Sequence, residues 1–110
     1  MTAGYPKASR LLKSSDFRFA RFVRKQTRHF TWILNPEGRG RLGISISKKT
    51  LKSSVARNRV KRLLREVFRS NHSAWVTRDI HVIGRVALRD VWREITPGLV
   101  ESEMMQAGKN

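Results

Sequence analysis

The stretch Val55-Ala-Arg-Asn-Arg-Val-Lys-Arg-Leu-Leu-Arg-Glu-Val-Phe-Arg69 decides how this chain folds and what it meets. Ala56, Val60, Leu63, Leu64, Val67 and Phe68 recur at intervals of three and four. At about 100° per residue they fall along one side of an α-helix. Asn58, Lys61, Arg62, Arg65 and Arg69 gather on the other side, with Arg57 and Arg59 on the flanks. Ser53 or Ser54 stands where an N-cap is needed, and Asn71, His72 and Ser73 end the run. Ordinary solvated faces mix both signs of charge, yet only Glu66 offsets the cations here. A helix of this kind docks its dry side and offers guanidinium forks outward. Arginine suits that task because its planar donors match phosphate oxygens two at a time and also stack on bases.

The rest of the chain must supply something for the dry side to lie on. Before the helix, the residues over 41–47 alternate: Leu42, Ile44 and Ile46 point one way and Gly43, Ser45 and Ser47 the other, which predicts a strand. A second strand is predicted over 29–34, where Phe30, Thr31, Trp32 and Ile33 suit a pleated surface. Asn35, Pro36, Glu37 and Gly38 supply turn chemistry between them, so the two strands read as an antiparallel hairpin with a long basic turn. Upstream, Leu11, Leu12, Phe17, Phe19 and Phe22 lie at near-helical spacing, and a short helix is expected over 16–24. Downstream, Ile80, His81, Val82 and Ile83 form a strand stopped by Gly84. A terminal helical region over 89–105 turns Val91, Trp92, Ile95, Leu99 and Val100 inward, and Pro97 must kink or restart it. The predicted order is α-β-β-α-β-α: an α+β (α/β sandwich) fold with one small mixed sheet and helices. A single domain over 1–110 is expected, with flexible tails at 1–9 and 106–110.

The chain has 110 residues, room for one domain and a modest core. Lys and Arg number 24 against 8 Asp and Glu, a net charge of +16. Such a field costs folding energy by self-repulsion, which an anionic partner relieves. Nucleic acid is the favoured partner. No apolar run approaches the roughly 20 residues that span a bilayer, and the first ten residues lack the apolar core of a secretory signal. No membrane partner and a cytoplasmic location are therefore expected. There is no cysteine, hence no disulfide and no thiolate chemistry.

Two runs, Arg41-Leu-Gly-Ile-Ser-Ile-Ser-Lys-Lys49 and Val55-Ala-Arg-Asn-Arg-Val-Lys-Arg-Leu-Leu-Arg-Glu66, together resemble the bacterial ribonuclease P protein family. That family carries an arginine-asparagine-arginine signature on a helix, preceded by a strand that ends in serine and paired lysines. The likeness extends upstream to Arg10-Leu-Leu-Lys-Ser-Ser-Asp-Phe17 and downstream to Asp79-Ile-His-Val-Ile83. In place of the family's glycine after the lysines stands Thr50-Leu-Lys-Ser-Ser54. The resemblance implies a left-handed β-α-β crossover, which general handedness rules would not suggest. It also implies a protein subunit of a ribonucleoprotein endonuclease. Such a subunit binds a catalytic RNA and the single-stranded 5′ leader of precursor tRNA, and assists leader removal. The catalytic groups and the magnesium required would belong to the RNA; the protein alone would bind no cofactor and hold no catalytic residue or metal. The signature helix would face the catalytic RNA through Arg57, Asn58, Arg59, Lys61, Arg62, Arg65 and Arg69. A cleft between the first helix and the sheet would hold the leader.

Single strands are held by a basic groove with aromatic faces. The leader candidates are accordingly Phe17, Phe30 and Trp32, with Ser45, Ser47, Lys48 and Lys49 nearby. Aromatics in a small domain are as readily core, and Trp75 and Trp92 are read as core or surface packing. The acids Asp16, Glu37, Glu66, Asp79, Asp90, Glu94, Glu101 and Glu103 include no close cluster of the kind a metal-dependent nuclease uses. His29, His72 and His81 lack metal-ligand spacing. Two rivals share the charge: a structural RNA-binding protein of ribosomal type with no role in tRNA cleavage, and a basic DNA-binding module.

Overall fold

In a computed structural model, residues 22–109 of the chain are described. They form one four-stranded sheet and two helices. The elements are β1 (Val23–Gln26), β2 (Phe30–Asn35), β3 (Leu42–Ser45), α1 (Ser54–Ser70), β4 (Asp79–Gly84) and α2 (Pro97–Gly108), with short 3₁₀ turns at His72–Trp75 and Val86–Asp90. The mixed α+β class follows directly.

The sheet order is β1-β2-β4-β3. β1 and β2 pair antiparallel, as do β2 and β4, whereas β3 runs parallel to β4. The hairpin expected between the strands over 29–34 and 41–47 is therefore corrected: β4 sits between them. Its composition explains why. Five of the six residues of β4 are buried, and a strand covered on both faces belongs in the middle of a sheet. β1 carries Arg24 and Lys25 and is mostly exposed, which suits an edge. β1 also replaces the C-terminal end of the helix expected over 16–24; the part before residue 22, with Leu11, Leu12, Phe17 and Phe19, lies outside the described residues. The connection from β3 through α1 to β4 joins adjacent parallel strands.

One face of the sheet carries the core. Phe30, Trp32 and Leu34 of β2, Leu42 of β3, and Ile80 and Val82 of β4 are buried in one cluster with Val60, Leu64 and Phe68 of α1 and Val100 and Met104 of α2. The predicted alternation of β3 holds, since Ile44 packs against this cluster and Ile46 is buried in it. Trp75 is core as well, and Trp92 packs against its margin.

The terminal helix is interrupted as Pro97 demands, but its first part is not a helix. A 3₁₀ turn covers Val86–Asp90, and α2 restarts at proline, capped by Thr96, whose Oγ1 accepts from the Leu99 backbone N–H at 3.2 Å. Ile95 and Val100 point inward as expected, while Leu99 is exposed. The tail expected from residue 106 is also corrected, because α2 continues to Gly108 and buries Ala107. α2 is clasped to the β1–β2 turn by Glu103, which accepts from the His29 backbone N–H at 3.0 Å and meets its ring Nδ1 at 2.6 Å.

Candidate nucleic-acid interface

α1 begins where its sequence says it should. Ser53 is the cap, and its Oγ accepts from the backbone N–H groups of Val55 and Ala56 at 3.1 and 3.3 Å. The 17-residue helix buries Ala56, Val60, Leu63, Leu64, Val67 and Phe68, the six positions that periodicity assigns to the dry side. Asn58, Arg62 and Arg69 are exposed, and Lys61 and Arg65 are half-buried on the same outer side. Among the described residues, no carboxylate pairs with any cation of α1. The carboxylates of Asp79 and Glu103 are engaged elsewhere, by the Arg41 guanidinium and the His29 ring.

The two flanking arginines behave differently from the rest. Arg57 donates from Nη1 to the carbonyl oxygens of Leu51 and Lys52 at 2.7 and 2.9 Å, so it closes the loop before the helix. Arg59 donates from Nε to Trp92 and from Nη2 to Arg93 and Ile95, at 3.0–3.1 Å. It ties the segment after β4 to α1. Both keep their charge, since carbonyls are neutral partners, and Asn58, Lys61, Arg62, Arg65 and Arg69 form the outward array.

The leader candidates separate. Phe17 lies outside the described residues. Phe30 is 1% exposed and Trp32 0% exposed, with their rings edge to face at 5.4 Å inside the core. Neither ring has a free face for a base, so both assignments are corrected. The physical reason is local: the Trp32 indole N–H donates to Thr27 Oγ1 at 2.8 Å, which leaves that ring no unsatisfied polar atom in the core. Ser47 is exposed, but its hydroxyl meets Thr50 Oγ1 at 3.0 Å and accepts from the Thr50 backbone N–H at 3.1 Å, closing a turn. Lys48 is exposed on that turn, and Lys49 lies beside the start of α1. Ser45 is exposed on the sheet face opposite the core.

That face also holds a residue that the sequence offered only as part of a strand, without a role in binding. His81 pairs with Gly43 and Ile33 in register, and its Nε2 meets Ser45 Oγ at 2.8 Å. Burial pushes its ring below the ordinary histidine range, which favours the neutral form. Only the strand order β2-β4-β3 brings it beside Ser45, and no local pattern carries that order. At the start of β4, Asp79 is fully buried. Burial alone would push its carboxyl up. The Arg41 guanidinium and the backbone N–H groups of Arg39 and Arg41 outweigh that, holding it below the ordinary carboxylate range. Among the described residues, no three His, Asp or Glu side chains gather as a metal site.

Fold and site together define a class: a small α+β protein whose crossover helix turns an unneutralised cationic face outward. A family profile described as Ribonuclease P matches residues 5–101, and the chain belongs to that family. It is 43% identical over 82 residues to the ribonuclease P protein component of Burkholderia mallei, covering 72% of this chain and 60% of that protein. The chain thus spans about three fifths of the length of that relative. With the component from Citrifermentans bemidjiense it is 39% identical over 88 residues, covering 76% of this chain and 75% of the other. The solved RNase P protein of Staphylococcus aureus superposes with a TM-score of 0.72 at 32% identity, covering 92% of this chain and 93% of that one. That of Thermotoga maritima gives 0.72 at 25% identity, covering 87% and 92%.

Proposed function

We propose that this chain is the protein subunit of ribonuclease P. It binds the catalytic RNA through the outward face of α1 and assists endonucleolytic removal of the 5′ leader from precursor tRNA. The observation that carries the reading is the array of Asn58, Lys61, Arg62, Arg65 and Arg69, backed by a buried apolar face and left without acidic partners among the described residues. Such an array neutralises phosphates at no cost in broken protein ion pairs. The leader runs along the sheet face that carries Ser45 and His81, toward Lys48, rather than against Phe30 and Trp32. Ile33 and Ile83, half-buried on that face, give it apolar surface for bases, and Arg24 at the β1 edge adds charge. Catalytic groups and the required magnesium belong to the RNA; the protein's share is charge neutralisation and grip on the substrate. The site of action is the cytoplasm. No helix among the described residues is long and apolar enough to cross a membrane.

The test is reconstitution with a bacterial ribonuclease P RNA at low magnesium. Adding the chain should accelerate cleavage of precursor tRNA and sharpen discrimination against mature tRNA. Cleavage unchanged by the protein would overturn the assignment even if RNA binding survived.

A further inference from the structure

An open cleft at the N-terminal end of α1 has a volume of about 470 Å³, within the range of roughly 300–1,000 Å³ usual for small-molecule sites. Four of its nine lining residues are cations, Lys49, Lys52, Arg89 and Arg93, and none is an acid. The cleft is built as well as charged. Arg89 donates from Nε to the Thr50 carbonyl at 3.1 Å and from Nη2 to that of Lys49. Neutral acceptors thus fix its guanidinium without offsetting its charge, and its other N–H groups remain for a ligand.

The aromatic wall is Trp92. Of the chain's three tryptophans, Trp32 and Trp75 are sealed in the core, whereas Trp92 is only half-buried and lines the cleft. The Arg93 guanidinium lies over its ring, 4.9 Å from the centroid. Arg59 holds the backbone of this segment against α1 through the carbonyls of Trp92, Arg93 and Ile95, so the ring sits on a fixed support. Cations beside an aromatic ring in a cleft are the combination that grips single-stranded nucleic acid, phosphate on the cations and base on the ring. A lipid headgroup or a simple anion would use the cations but has no use for the ring. Bases inside a duplex are excluded too, because both of their faces are covered by their neighbours in the stack.

We infer that this cleft takes one unpaired nucleotide of a bound RNA, its phosphate between Arg89 and Lys52 and its base on the Trp92 face that the exposed Arg93 side chain covers in the free protein, the guanidinium moving aside to admit it. The inference rests on the RNA-binding reading above and adds a contact that the outward face of α1 lacks. It also gives Lys49 a place in this cleft rather than along the leader.

Trp92 reports on its own test, since the other two indoles are shielded. The full chain is titrated at low salt with a uridine decamer while tryptophan emission is followed, and in parallel with phosphatidylglycerol vesicles. Binding to a ribonuclease P RNA is measured separately by filter retention. The decamer should quench the emission, and Lys52→Ala and Arg89→Gln should each shift the quenching midpoint several-fold to higher concentration. Trp92→Leu should weaken decamer retention about tenfold. Lys52 is exposed, so Lys52→Ala keeps the test sound even if the Arg89 and Trp92 variants fold poorly. Decamer binding that leaves the emission or the Lys52→Ala midpoint unchanged would overturn the cleft assignment and leave the α1 reading standing. Quenching by vesicles with no response to the decamer would overturn it in favour of a lipid surface. Failure to retain ribonuclease P RNA at all would instead sink the RNA-binding reading beneath it.

Discussion

Arg59 gives three hydrogen bonds to the carbonyls of Trp92, Arg93 and Ile95, whereas Arg62, one turn further along α1, is exposed and held by no protein group among the described residues. Truncating the two should therefore have different consequences. Arg62→Ala should leave urea unfolding within about 0.5 kcal/mol of the parent, while the slope of log binding constant against log salt for ribonuclease P RNA falls by about 1. Arg59→Ala should lower unfolding stability by about 2 kcal/mol, because two half-buried carbonyls and an exposed one lose a charged donor, with a smaller change in slope. Equal effects of the two on unfolding would refute this division. The sequence sets Arg59 on a flank of the helix and Arg62 on its outer side, but helical periodicity gives only the angle of a side chain about the axis, not which distant carbonyls arrive beside it. Trp32 fails to declare itself for the same reason. Its burial depends on Thr27, five positions away across the β1–β2 turn, and an exposed stacking ring would read identically in one dimension.

At the level of elements, α1 was legible in the six positions of its buried face and in a serine cap that the sequence narrowed to Ser53 or Ser54, because both signals are local. The pairing of strands was not. β3 and β4 are separated by α1 in the chain and adjacent in the sheet, and β1 is too short and polar to stand out from its neighbours. The junction of β3 with β4 is secured by Asp79, whose carboxylate accepts from Arg39 and Arg41 backbone N–H groups at 2.9 and 3.1 Å and from the Arg41 side chain at 2.7 Å. Removing a buried partner of this kind leaves donors and a cation uncompensated, so Asp79→Ala should cost about 3 kcal/mol in denaturant unfolding. The pH dependence has one sign for both perturbed groups. Asp79 sits below its ordinary 3.8 and His81 below its ordinary 6.5 in the folded state. A depressed folded pKa contributes stability that is complete above the unfolded value and disappears as pH falls through the folded one. Stability should thus be flat at neutral pH, begin to fall below about 6.5 as the unfolded chain binds a proton at His81, and fall further below about 3.8 through Asp79. In His81→Asn the first of these declines should disappear and the second remain; a first decline of undiminished size would mean that another group causes it.

Across the whole molecule the cations outnumber their native partners so far that folding and binding should respond to salt with opposite signs. The net charge is +16 with histidine neutral, and among the described residues Asp79 pairs with Arg41 while Glu103 is held by the His29 ring. The longest dimension is 34 Å, close to the screening distance of about 30 Å at 0.01 M salt and well beyond the roughly 8 Å at 0.15 M. At low ionic strength nearly every cation therefore feels every other, and the folded state carries that repulsion at closer range than the expanded chain does. Added sodium chloride should raise the melting temperature of the free protein between 0.01 and 0.15 M. Bound to RNA, the same charges are already neutralised by phosphate, and salt weakens the contact by restoring the counterions it released. Because a ligand that binds only the folded state stabilises it by mass action, the melting temperature of the RNA complex should fall over the same salt range. Thermal melts of the protein with and without ribonuclease P RNA check both slopes at once. A free-protein melting temperature that drops with salt would show that the Arg41–Asp79 and His29–Glu103 pairs outweigh the surplus charge, and the cationic face would then no longer be a burden that RNA relieves.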